Sequence, residues 1–136
     1  MGIELRKFPR LNAELKIEYE FVNWKEKDLS KLKHPIFTTT FDISASGIGL
    51  NKLEEITNGI HKDLETGKKK IKLGIYLNNG DPPLITFARL VWSSTSDDNF
   101  KYGFLFLDVK EEFFKEIKNF VDSGLVKEEK SSTITN

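Results

Sequence analysis

IFTTTFDISASGIGL, residues 36–50, divides into two β-rich runs around a short polar stretch. The first run, IFTTTFDI, is dense in β-branched and aromatic residues, the composition that suits a pleated, half-buried surface. The second, GIGL, resumes after Ser44-Ala45-Ser46, where Asp and Ser side chains can bond nearby backbone and Gly47 can enter a turn. Strand, turn, strand is the local reading, and the flanking sequence extends it. Upstream, LKIEYEFVNW places Leu15, Ile17, Tyr19 and Phe21 on one side and Lys16, Glu18 and Glu20 on the other, which predicts a strand. The charged KEKDLSKLKHP (25–35) between them reads as a surface loop. Downstream, Leu53, Ile56, Ile60 and Leu64 fall near helical spacing, but Gly59 interrupts them and the segment is read as irregular. IKLGIYL (71–77) and LITFARLVWSS (84–94) flank Asn79-Gly80 and predict a hairpin, and YGFLFL (102–107) predicts a last strand, apolar on both faces and covered on both.

A C-terminal helix should supply that cover. Asp108 is its expected cap, with Glu111 three residues on, Phe113, Ile117, Phe120 and Val121 as its apolar stripe, and Gly124 as its stop. Six strands at hairpin spacing and one helix make a mostly β protein, a small antiparallel barrel. Its 136 residues hold one domain, expected over 1–124, with 125–136 a polar tail expected to be disordered.

Composition narrows the function. Lys plus Arg and Asp plus Glu both total 21, so no net field draws the chain to nucleic acid or to an anionic membrane, and an anion needs a local cluster. Cysteine is absent, and the start MGIELRKFPR has no apolar leader run; the expectation is a monomeric cytoplasmic protein without membrane insertion. His34 and His61 lack partners at metal-ligand spacing, and Gly47-Ile48-Gly49 lacks the third glycine and the helix of a dinucleotide loop. No metal, no cofactor and no enzymatic activity are expected.

Two clusters remain. In RKFPR, Arg6 and Arg10 flank a proline that disfavours helix, so two guanidinium forks can reach one small anion from an extended segment, 4–12. In FDISASG, Asp42 can accept from the N1–H and N2–H₂ edge of guanine, Ser44 can give or take a hydrogen bond, and Gly47 lets a ligand approach the backbone. The same three residues also make an ordinary turn, and the two roles are compatible.

Together and in this order, R-x-x-x-R before the first strand and D-x-S-x-x-G after the second resemble the PilZ domain, a bacterial receptor module for the second messenger cyclic di-GMP. ARLVW (88–92) and YGFLFLDV (102–109) look like further strands of that family, and the resemblance covers residues 4 to about 124. It implies a six-stranded barrel with a C-terminal helix and a ligand on its outer surface. It implies that Arg6 and Arg10 hold phosphate and guanine, that Asp42, Ser44 and Gly47 face guanine, and that Trp92 lies near the ligand, although a core position suits Trp92 equally. The expected function is a stand-alone cyclic di-GMP adaptor acting on an unidentified effector protein. The alternative is a PilZ-like interaction module that binds no nucleotide.

Overall fold

The computed structural model of the chain describes residues 8–95 and 98–134, with side chains as far as residue 129. The strands are β1 (Leu11–Asn12), β2 (Lys16–Asn23), β3 (Ile36–Ile43), β4 (Gly47–Leu50), β5 (Lys69–Ile75), β6 (Leu84–Ser94) and β7 (Lys101–Leu107). Helix α1 (Asn58–Thr66) follows β4, and helix α2 (Glu111–Ile134) follows β7. Antiparallel pairing runs from β3 through β2, β5, β6 and β7 to β4, and the β3–β4 pair closes the ring into a six-stranded barrel. The expected architecture is therefore observed.

The short β1 adds two pairs, Leu11↔Ile43 and Asn12↔Asp42, farther along β3 than the stretch that pairs with β2. Thr40 bridges the break between them: its hydroxyl donates to the Ala13 carbonyl and accepts from Leu15 N. This stitching fixes the chain just after Arg10 against the strand that carries Asp42.

Period-2 alternation sends Ile17, Tyr19, Ile71, Leu73, Ile75, Ala88, Tyr102, Phe104 and Phe106 into the barrel, where all are buried. Phe113, Ile117 and Val121 of α2 join the same core, and Phe113 meets Phe106 edge-on at 5.1 Å. The helix therefore contacts the inward face of β7. Leu105 and Leu107, which alternate with those inward residues, are only half-buried, so β7 is not covered on both faces as expected.

Three other expectations need correction. Residues 58–66 are helical because Thr57 caps them, accepting from Ile60 N at 3.1 Å, while Gly67 ends them at φ 79. Gly59 lies in the first turn, where backbone N–H groups lack intrahelical partners anyway, so it breaks little. Asp108 does not cap α2; it turns the chain at φ 46, and the helix starts at Glu111. Nor does α2 stop at Gly124: it continues to Ile134, so 125–134 is helix and not an irregular tail.

Candidate ligand-binding site

Two β-bulges build the site. On β3, Ile36, Thr38 and Thr40 share one parity, and Asp42 would follow them inward. The register shifts between Thr40 and Asp42, so Phe41 and Asp42 both turn outward before Ile43 returns to the core. On β6 the shift falls between Leu90 and Trp92. Trp92 would otherwise share the inward parity of Ala88 and Leu90; instead Val91 and Trp92 both face out, 41% and 46% exposed. A core position for Trp92 is thereby excluded.

The outward residues lie in one row. Asn12 pairs with Asp42, Asp42 with Gly49, Gly49 with Gly103, and Gly103 with Trp92, crossing β1, β3, β4, β7 and β6. The two glycines leave bare backbone at the centre, and neighbouring side chains fold over it. A Cβ on Gly49 would strike the Asp42 carboxylate and the Phe41 ring, and a Cβ on Gly103 would strike the Trp92 indole. Phe41 and Trp92 stand 6.1 Å apart, tilted by 55°.

Arg10 closes the row at its charged end. Its Nε donates to Asp42 Oδ2 at 2.8 Å and its Nη2 to Asp42 Oδ1 at 2.9 Å, a bidentate pair in a partly exposed position. Each carboxylate oxygen keeps a free lone pair, and the rest of the guanidinium keeps its donors. The pair can thus hold its own geometry and still meet a ligand that has both an anion and an N–H edge.

Ser44 and Gly47 are placed differently. Ser44 is fully buried; its Oγ accepts from Ser46 N and Gly47 N, both at 3.2 Å, and its own N–H donates to the Gly47 carbonyl at 2.9 Å. Gly47 lies against β7, where a Cβ would sit 2.5 Å from the Phe104 carbonyl oxygen. These two residues shape the β3–β4 turn that presents Asp42. Arg6 lies outside the described residues.

Sequence reasoning missed Phe41, Gly49, Gly103 and Lys101. Lys101 Nζ lies 4.3 Å from the Phe41 ring centroid and donates to Asn51 Oδ1 at 3.1 Å. Only the bulges reveal these neighbours, and a bulge has no residue signature of its own. His61 also has partners that the sequence did not suggest: Nδ1 lies 3.0 Å from Glu65 Oε1, and Nε2 lies 3.1 Å from Ser93 Oγ. Among the described residues no group of three or more His, Cys, Asp or Glu could hold a metal ion.

Comparison with known proteins agrees with this architecture. The sequence matches the PilZ domain over residues 4–123, and the chain belongs to that family. Solved structures share the fold at low identity. The inhibitor of motility MotI/DgrA of Bacillus subtilis is 13% identical, with TM-score 0.63, covering 90% of this chain and 51% of its own. The PilZ domain of YcgR from Escherichia coli, solved with cyclic di-GMP, is 14% identical, with TM-score 0.59 and coverages of 94% and 97%. PlzA of Borreliella burgdorferi, solved in complex with cyclic di-GMP, is 15% identical, with TM-score 0.51 and coverages of 93% and 55%. The chain thus spans about half the length of MotI and PlzA. No curated protein matches it. Among the described residues no helix is long and apolar enough to cross a membrane.

Proposed function

We propose that this protein is a stand-alone cyclic di-GMP receptor of the bacterial cytoplasm, a monomeric adaptor without enzymatic activity that presents an altered surface to an effector protein when the ligand binds. The observation that carries this reading is the row in which Arg10, Asp42 and Trp92 share one outward face over bare glycine backbone. Cyclic di-GMP offers phosphate to Arg10, a guanine N–H edge to Asp42 and a flat base to Trp92. Arg6 adds a second fork from the same segment. Ser44 and Gly47 serve the site by holding the turn that presents Asp42.

The same geometry supports an output. Phe8, between the two arginines in sequence, meets Phe114 of α2 edge-on at 5.5 Å, and Leu11 packs against Gly124. A ligand that draws on the arginine segment therefore acts on a segment that touches the helix. Calorimetric titration with cyclic di-GMP tests the reading. Binding by the wild type should weaken at least roughly tenfold in Arg10→Ala and in Arg6→Ala, the scale of one lost charge-assisted hydrogen bond. A wild type that takes up no cyclic di-GMP overturns it. That result would favour the second reading, an interaction module without nucleotide, in which Arg10 and Asp42 serve only each other and the exposed pair Val91 and Trp92 meets a protein.

A further inference from the structure

We propose that Phe41 and Lys101 complete the ligand seat, Phe41 as a wall on which a nucleobase of cyclic di-GMP stacks and Lys101 as a cation for its phosphate. This rests on the cyclic di-GMP reading and extends it to two residues outside both sequence motifs. The bulge at Phe41 turns a large apolar ring out of the barrel, where it stays only half-buried. The ring lies over Gly49 with Trp92 beside it at 6.1 Å and the Lys101 ammonium at 4.3 Å from its centroid. These neighbours orient the ring before any ligand arrives, so part of the side-chain entropy cost of stacking is already met.

Room for a base lies next to it. A hollow of about 410 Å³ lined by Asn12, Ala13, Glu14, Thr40, Phe41 and Asn51 opens beside the ring. Asn12 pairs in register with Asp42, so the hollow borders the Arg10–Asp42 pair. Lys101 is anchored by hydrogen bonding. Its Nζ donates to Asn51 Oδ1 at 3.1 Å, and the Asn51 amide donates to Thr39 Oγ1 at 2.9 Å and to the Thr40 carbonyl at 3.2 Å. One donor of the ammonium is used there and others stay available. No ion pair with Lys101 occurs among the described residues, so its charge is not neutralised by a neighbouring carboxylate. The ligand has two bases and two phosphates. Arg10, Asp42 and Trp92 provide for one of each, and Phe41 and Lys101 provide for the other.

The experiment is titration of cyclic di-GMP into the wild type, Arg10→Ala, Phe41→Leu, Phe41→Tyr and Lys101→Met, with thermal unfolding of each. Phe41→Leu should weaken binding roughly fivefold to a hundredfold, the scale of one lost base–aromatic stack, while Phe41→Tyr stays near the wild type. Lys101→Met should weaken binding about tenfold and make it less sensitive to salt. Wild-type affinity in both Phe41→Leu and Lys101→Met, with Arg10→Ala impaired, overturns this inference and leaves the receptor reading standing. Loss of affinity in Phe41→Tyr equal to that in Phe41→Leu overturns the stacking role. A wild type that binds no cyclic di-GMP overturns both readings together.

Discussion

Gly47 and Gly49 lie two positions apart on β4, yet a side chain at each would meet different kinds of atom. At Gly47 it meets the Phe104 carbonyl, backbone of the neighbouring strand that cannot move without opening the β4–β7 pairing. At Gly49 it meets the far ends of the Asp42 and Phe41 side chains, which can swing aside. Gly47→Ala should therefore cost stability, about 1 to 3 kcal/mol as for other overpacked sites, seen as a drop of several degrees in Tm. Gly49→Ala should leave Tm close to the wild type but displace Asp42 from Arg10 and weaken cyclic di-GMP binding at least roughly tenfold. The reverse pattern, with Gly49→Ala unstable and binding normally, would show that the bare strip serves packing alone. Asp42, Ser44 and Gly47 were legible as a cluster because their residue types are those a turn and a guanine edge both require. Their separate duties were not legible. Ser44 is buried with its hydroxyl spent on the Ser46 and Gly47 N–H groups, and one string of letters contains both the turn and the carboxylate it presents.

Among the elements, the strands were readable wherever apolar residues alternate along the chain, as in Ile17, Tyr19 and Phe21 or Ile71, Leu73 and Ile75, although Glu18, Lys70 and Lys72 beside them are buried as well. Where an extra residue breaks the alternation, the pattern misleads, and both breaks fall at the site. The C-terminal helix was legible too, but α1 and the far end of α2 were not, for a related reason: what a glycine does depends on its neighbours and not on its freedom alone. Gly59 sits where a helix tolerates it, and Gly124 continues α2 because its missing side chain admits Leu11 of β1. That contact yields a prediction. A methyl group at position 124 would collide with the Leu11 side chain, which is 5% exposed and has little room to retreat. Alanine gains up to about 1 kcal/mol of helix propensity over glycine, and overpacking costs about 1 to 3 kcal/mol, so the clash should prevail. Gly124→Ala should lower Tm and, by shifting β1, weaken cyclic di-GMP binding although it touches no ligand. Pairing it with Leu11→Ala, which vacates the space, should restore much of the affinity. If Gly124→Ala raises Tm and binding is unchanged, the contact between α2 and β1 is too loose to carry a signal.

For the whole molecule, charge is balanced near neutral pH; on the alkaline side the lysines lose their protons and the carboxylates are left in excess, so self-repulsion adds to what the buried groups do. Tyr19 is fully buried inside the barrel and donates its hydroxyl to the Glu54 carbonyl at 3.0 Å, joining β2 to the segment that leads into α1. Burial, as the largest cause, pushes its phenol up to about 12, and burial also raises Tyr102. Both phenols stay protonated in the fold after their unfolded counterparts, near pH 10, have ionised. Their contribution is therefore fully present below about pH 10 and is lost as pH rises towards 12. Lys70 works with the opposite sign. It is 8% exposed against the Phe87 ring, and its burial lowers its pKa, so the fold holds fewer protons there than the unfolded chain and gains stability as pH climbs towards 10.5. Two buried tyrosines, one pushed up to about 12, should outweigh one lysine, giving a net loss on the order of 1 to 3 kcal/mol between pH 9.5 and 11.5. Urea unfolding across that interval measures it. Tyr19→Phe should cost roughly 1 kcal/mol at neutral pH, because the Glu54 carbonyl loses its donor, and should flatten the alkaline decline. An equally steep decline in Tyr19→Phe would move the cause away from the barrel interior, and a rise in wild-type stability over the same interval would mean that Lys70 governs the alkaline limb instead.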